Sequence, residues 1–248
     1  MKSKIIAAGL AGLLASTTVS ADSLFGLYVK AGGWNQAPSG GVSDNGDVID
    51  LESDLGMDSE TGVVVSVAIE HFIPLIPNLK IEHTDLSYSS SSTLTREIEF
   101  DGIIYTVGEE INSELDLTHT DFVLYYEILD NWVSIDLGIN IKVFDGNLAI
   151  DSESVDEAID LSAPIPTLYG KVQFDVPSTD LSVGGEVSYL GYDGNTLSDI
   201  RGYIAYEIML GFGVELGYRS IDLQFDDIDD VMIDSTFDGA YLSATFHL

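Results

Sequence analysis

Residues 132–144 read WVSIDLGINIKVF. Val133, Ile135, Leu137, Ile139, Ile141 and Val143 occupy the odd positions, with Ser134, Asp136, Gly138, Asn140 and Lys142 between them. Successive side chains of a strand point to opposite faces, so the segment is a β-strand with one apolar and one polar face. The pattern repeats in both directions along the chain. Toward the C-terminus, Leu168, Val172 and Phe174 alternate with Tyr169, Lys171 and Gln173, Ile200, Ile204 and Ile208 with Arg201 and Glu207, and Val214, Leu216 and Tyr218 with Glu215 and Arg219. Toward the N-terminus, Val63, Val65, Val67 and Ile69 alternate with Ser66, Ala68 and Glu70, and Phe122, Leu124, Tyr126 and Ile128 with Asp121, Tyr125 and Glu127. No helical period competes with this one beyond the first residues.

Alternation does not say which face is inside, because a soluble barrel hides its apolar face and a membrane barrel shows it to lipid. Connection lengths decide between them. The pattern predicts strands near 24–36, 61–73, 79–89, 115–129, 132–144, 167–176, 181–192, 200–208, 213–221 and 237–248. Their connections alternate between short turns (74–78, 130–131, 177–180, 209–212) and mostly long loops (37–60, 90–114, 145–166, 224–236), with 193–198 a short exception. Short periplasmic turns and longer extracellular loops characterise outer-membrane barrels. The expected fold is therefore all-β, a transmembrane antiparallel up-and-down barrel of about ten strands, with eight as the fallback count. It ends on an alternating aromatic and apolar strand through Phe246 and Leu248.

The 248 residues carry 42 Asp and Glu against 9 Lys and Arg, a formal charge of −33, with no cysteine. A basic nucleic-acid-binding surface, disulfides, thiolate metal sites and a cysteine nucleophile are all excluded. At 45% hydrophobic residues the chain is too apolar for a disordered acidic polymer. Lys2 and Lys4, the apolar run Ile5 to Ala15 and the small exit Val19-Ser20-Ala21 read as a cleaved secretory signal over 1–21, leaving 22–248 as the barrel domain. No later stretch reaches the roughly 18 uncharged apolar residues that a spanning helix needs.

Most of the acids fall in the expected outer loops, where Arg96 is the only base. Lys30, Lys142, Lys171, Arg201 and Arg219 instead sit mid-strand on the polar parity, shared with Glu70, Asp121, Glu127, Asp136, Asp175, Glu186, Glu207 and Glu215. A lysine facing lipid at the bilayer midplane costs about 2–4 kcal/mol, so these thirteen residues are expected to face the lumen as an ionic network. The acidic loops read as a solvated surface. Their other reading is divalent-cation binding, since clustered carboxylates supply the hard oxygens that calcium prefers, although Asp226-Asp227-Ile228-Asp229-Asp230 lacks EF-hand spacing. No cofactor is otherwise called for.

His-Thr-Asp occurs twice, at His83-Thr84-Asp85 and His119-Thr120-Asp121. If His83 paired directly with His119, then His83, Asp85, His119 and Asp121 would share one face as a candidate metal or acid–base site. That register would turn Lys80 and Glu82 outward. An omptin-like protease needs an Asp pair and a His–Asp pair at the rim that cannot both be placed here, so enzymatic activity is not the expected role. Tyr125, Tyr126, Trp132, Tyr189, Tyr206 and Tyr218 near strand ends are expected to form interfacial girdles.

Three segments carry a family resemblance: Glu70-His71-Phe72-Ile73-Pro74-Leu75-Ile76-Pro77-Asn78, His119-Thr120-Asp121 through Asn131, and Gln173-Phe174-Asp175-Val176-Pro177. In these the chain resembles a family of small, uncharacterised outer-membrane β-barrel proteins, loosely OmpW-like in size. The resemblance implies location and fold and no catalytic residues. The expected protein is a monomer of the cell outer membrane, either a narrow channel for small solutes or an envelope-structural protein, with an envelope enzyme or metal-binding barrel as the alternative. Its expected partners are outer-membrane lipid, lipopolysaccharide and the barrel assembly machinery, and not nucleic acid.

Overall fold

A computed structural model describes residues 25–44, 48–73, 75–152, 156–228 and 231–248. The expected signal segment lies outside the described residues, as do Asp47, Asp229 and Asp230. In chain order the strands are β1 (Phe25–Asp44), β2 (Ile49–Asp50), β3 (Glu60–His71), β4 (Asn78–Thr84), β5 (Ser87–Thr93), β6 (Ile98–Phe100), β7 (Ile103–Tyr105), β8 (Glu110–Asp116) and β9 (His119–Asp130). They continue as β10 (Val133–Phe144), β11 (Asn147–Asp151), β12 (Asp156–Asp160), β13 (Pro164–Asp175), β14 (Leu181–Tyr192), β15 (Asn195–Met209), β16 (Phe212–Ile228) and β17 (Val231–His247).

Ten of these strands close a barrel in the order β1-β3-β4-β9-β10-β13-β14-β15-β16-β17, every pair antiparallel, with β17 returning to β1 from Tyr28↔His247 to Asp44↔Val231. Closure leaves no unpaired edge, the condition for a sheet to exist in lipid. Short turns gather at one end with both described termini. Two-residue hairpins, Leu210-Gly211 at this end and Asp193-Gly194 at the other, hold positive φ at both central residues, the turn twist that matches paired strands.

Through the lower part of the wall the apolar parity faces outward. Leu137, Ile139, Leu168, Ile204, Leu216 and Leu242 are each at least half exposed, while Asp136, Asn140, Lys142, Arg201 and Glu215 are buried on the inner face. Apolar surface can cover the outside of a closed barrel, and charge its inside, only where the surroundings are lipid. The chain is therefore an integral outer-membrane β-barrel. Tyr126, Trp132, Tyr189, Tyr206 and Tyr218 stand on the outer face, whereas Tyr125 is buried inside, so it is not a girdle residue.

Above this belt the inner face changes chemistry without changing parity. On β16, Val214, Leu216 and Tyr218 point out and Arg219 points in, but the next inward residues are Ile221, Leu223 and Phe225, all buried. Outside the membrane the surroundings are water, so apolar side chains gain by turning inward, each about 1.5–3 kcal/mol when fully buried. Sequence alternation placed the strand ends too early for this reason. The expected loop 224–236 is largely a continuation of β16 and β17, the first part of the expected loop 37–60 extends β1 to Asp44, and the expected strands 79–89 and 115–129 each divide where the chain leaves the barrel wall.

Past those breaks the chain builds a cap. A second sheet runs β12-β11-β8-β5, and β6 pairs with β7 in a hairpin. Leu51, Leu55, Leu86, Phe100, Ile111, Leu115, Leu148 and Ile150 from the cap join Trp34, Leu197, Ile221 and Phe237 from the extended barrel in one apolar core. The regions read as solvated acidic loops are thus the outer shell of a folded β-layer that sits across the barrel mouth opposite the described termini.

Candidate functional site

The lumen is filled by side chains that neutralise one another. Asp199 on β15 accepts from Arg219 Nε and Nη2 at 2.9 and 2.6 Å and pairs with Lys142 at 3.0 Å, and Lys142 pairs in turn with Asp121 at 2.9 Å. Arg219 also donates to Thr84 Oγ1 at 3.0 Å and lies 3.7 Å from Glu82. Glu82 takes both guanidinium nitrogens of Arg201 and sits 3.4 Å from Lys80, which pairs with Glu186 at 2.6 Å. Four carboxylates and four cations form one connected, balanced cluster. Buried charge is tolerated in this form, with each ion paired and hydrogen-bonded.

The contact between Arg201 and Glu82 defines the geometry. β15 and β4 stand five positions apart in a ring of ten strands, so this bidentate pair spans the full width of the lumen. Directly above it the Trp34 ring lies 4.9 Å from the Arg219 guanidinium, and Trp34 Nε1 donates to the Gly239 carbonyl at 3.1 Å. The ionic layer thus passes straight into the apolar core of the cap.

Below the cluster, Lys30 pairs with Glu215 at 3.1 Å, which also accepts from Tyr241 at 2.8 Å, and Lys171 lies 3.4 Å from Asp136. Tyr125 donates to Glu70 at 2.7 Å and Asn78 to Glu127 at 3.3 Å. Asp175 and Glu207 stand exposed at the rim on the side of the described termini, Asp175 accepting from Gln173 and Glu207 lying 3.8 Å from His247. Three members of the central cluster were missed by sequence reasoning. Asp199 falls between the expected connection 193–198 and the expected strand 200–208, because its strand starts earlier than the apolar pattern shows, and Lys80 and Glu82 were hidden by a register.

That register is the main correction. β4 pairs with β9 as His83↔Thr120 and Thr84↔His119, one residue away from His83 opposite His119. A one-residue slip exchanges the two faces of a strand. His83 consequently lies on the outer face, bonded to Thr120 Oγ1 at 3.1 Å, and Asp85 accepts from Ser87, while His119 and Asp121 are buried inside. The four residues do not converge on a metal. The charges decide this register, because it brings Lys80 and Glu82 into the lumen rather than into lipid.

A different trio does converge: His119, Asp121 and Asp199 each present a ligand atom within 4.8 Å of the others. Lys142 already bridges the two carboxylates at 2.9 and 3.0 Å. A divalent ion there would have to expel this ammonium beside Arg219, so the cluster carries its own cation.

In the cap, Arg96 is clamped by Asp54, with Nε 3.0 Å from Oδ1 and Nη2 2.5 Å from Oδ2, and Nη2 also donates to the Val48 carbonyl. Burial raises the Asp54 carboxyl, but hydrogen bonds from Arg96 and from the Asp50 amide outweigh it and hold the group below its ordinary value of 3.8. A depressed folded value stabilises the cap above the unfolded pKa, and that contribution is lost as pH falls through the folded value. Wild type is therefore expected to exceed Asp54→Asn in thermal stability at neutral pH, with the gap closing below about pH 4. Paired melting curves from pH 7 to 3 check this, and a gap that persists unchanged at pH 3 contradicts it.

No family model and no curated protein sequence matches the chain. Structural neighbours include Ail, the attachment invasion locus protein of Yersinia pestis, at 10% identity and a TM-score of 0.36, covering 90% of this chain and 98% of that one. The translocator domain of the autotransporter NalP from Neisseria meningitidis aligns at 12% identity and a TM-score of 0.45, covering 89% and 88%. A Pseudomonas aeruginosa FadL homologue aligns at 9% identity and a TM-score of 0.35, covering 90% and 89%. Likenesses at this level say nothing of activity.

Proposed function

We propose that the chain is a sealed, envelope-structural barrel whose membrane wall anchors a rigid acidic β-cap at the cell surface. The observation that carries this reading is the Arg201–Glu82 pair crossing the lumen, roofed by the apolar core around Trp34 and Phe237. A permeating ion would have to break a balanced charge cluster and then cross a dry hydrophobic layer. Each step is opposed by several kcal/mol, by uncompensated charge in the first case and by ion desolvation in the second. The partners of such a protein are lipid and lipopolysaccharide around the wall and the assembly machinery during insertion, with the aromatic and apolar β17 as its final strand.

An OmpW-like conduit for small apolar molecules is less well supported, because the lumen is ionic where such a path would run. The envelope-enzyme and metal-barrel alternative loses its paired His-Thr-Asp face to the observed register. The refolded protein in planar bilayers is expected to give no single-channel steps, with insertion verified by protection of the barrel from added protease. Stable cation-selective steps from inserted protein would reject the sealed reading in favour of a narrow channel.

A further inference from the structure

Beneath the ionic cluster the lumen widens into a vestibule of about 480 Å³ that reaches the periplasmic turns at Asp130, Asp180 and Gly211. This volume lies within the range of about 300–1,000 Å³ typical of small-molecule sites. Deeper on its wall Lys30 pairs with Glu215 and Lys80 with Glu186, while the acids Asp130, Asp175, Asp180 and Glu207 stand solvent-exposed toward the opening. One corner does not balance. Glu70, Glu127 and Asp136 line it together with a single cation, Lys171, which lies 3.4 Å from Asp136 Oδ2.

The strands force this crowding. Asp136 on β10 is in register with Glu127 on β9 and with Lys171 on β13, and Tyr125 reaches from β9 to Glu70 on β3. Asp136 is only 2% exposed, and its Oδ1 is buried with no hydrogen-bond partner. An unpartnered carboxylate oxygen inside a protein is costly and marks a place where a donor is missing. The corner therefore lacks two positive charges and at least one N–H donor.

A single metal ion does not fit that deficit. Metal ligands must gather within one coordination shell, at about 2.0–2.6 Å from the ion, and among the described residues only His119, Asp121 and Asp199 bring ligand atoms within 4.8 Å of one another. The carboxylates of Glu70, Glu127 and Asp136 are more widely spread. A cation with two separated charges matches them better, and Tyr125 and Tyr169, packed with ring centroids 6.0 Å apart and with Lys80 over the Tyr169 ring, form an aromatic wall against which an alkyl chain can lie.

We propose that the vestibule is a periplasm-facing site for an organic diammonium or polyammonium ion, held by Glu70, Glu127 and Asp136 with its alkyl chain against Tyr125 and Tyr169. The site is compatible with a sealed barrel, since the ligand enters and leaves on the periplasmic side. It does not depend on the cap.

Isothermal titration of the refolded full-length barrel in non-ionic detergent, with 1,4-diaminobutane and spermidine as probes and Mg²⁺ as the inorganic comparator, tests the proposal. Saturable binding of the amines is expected, weakened at least tenfold in Glu70→Gln/Glu127→Gln and unchanged in the cap variant Glu97→Gln/Glu99→Gln. The lumen variant removes like-charge repulsion and keeps hydrogen-bonding groups, so it should fold, as circular dichroism and urea resistance verify. No binding to wild type, binding indifferent to the lumen variant, loss in the cap variant instead, or Mg²⁺ binding as tightly as the diamine would each overturn it.

Discussion

Arg219→Ala is expected to destabilise the protein by about 3–5 kcal/mol, the cost of breaking a buried ion pair from one side. The side chain is 1% exposed and serves Asp199 through two nitrogens, Thr84 through a third and the Trp34 ring through its face. Its removal leaves four carboxylates against three cations in a cluster whose carboxylates and cations are largely buried. Asp199 keeps only Lys142, and Glu82 keeps Arg201 and Lys80. Neutralising both partners tells repulsion apart from lost packing. Arg219→Met/Asp199→Leu restores a balance of three against three, so its cost is expected to fall below the sum of the single variants by about 0.5–3 kcal/mol, the usual range of coupling between contacting residues. Urea unfolding in lipid vesicles measures wild type, Arg219→Ala, Arg219→Met, Asp199→Leu and the double variant. Additive costs would mean that Arg219 acts by volume alone.

The same residue shows how far the sequence could be read. Arg219 follows Val214, Leu216 and Tyr218 on the opposite parity, which was enough to place it in a lumen, and the closed ten-strand barrel follows from such runs repeated along the chain. Partners were not legible, because parity assigns a face and not a height or a register. His83 and His119 look alike in sequence, yet one residue of slip sends the first outward and brings Lys80 and Glu82 in beside Arg201 and Arg219. The cap was obscured differently. Ile98-Glu99-Phe100 and Leu148-Ala149-Ile150 alternate as strands do, but the surrounding acids have the composition of a solvated loop. What joins these short runs is burial against Leu197, Ile221 and Phe237 of the barrel extensions, a contact between segments far apart in the chain.

Trp34→Ala is expected to cost about 3–5 kcal/mol and to open the cap while leaving the membrane belt closed. Truncating a fully buried tryptophan removes its transfer energy and leaves a cavity that the surroundings fill only in part. Here it also strips the Gly239 carbonyl of its donor and the Arg219 guanidinium of its ring. The loss falls on the apolar core that seats Leu51 and Leu55, the residues on either side of Asp54, which clamps Arg96. After residue 21 every other base, Lys30, Lys80, Lys142, Lys171, Arg201 and Arg219, lies on a barrel strand. Trypsin added from outside therefore has one informative target, the bond after Arg96. When opening is fast relative to cleavage, the rate of that cut follows the population of open cap. A loss of about 3 kcal/mol in the opening free energy corresponds to roughly a hundredfold faster cleavage, at about 1.4 kcal/mol per factor of ten. Trp34→Phe keeps most of the ring surface and loses mainly the hydrogen bond to Gly239, worth about 1–3 kcal/mol when the carbonyl is left unpaired, so it should cleave at an intermediate rate. Equal rates in wild type and Trp34→Ala would show that the cap holds Arg96 without the barrel-top core. The barrel would then support a separately folded layer, and the continuity between ionic lumen and apolar roof would have no part in sealing it.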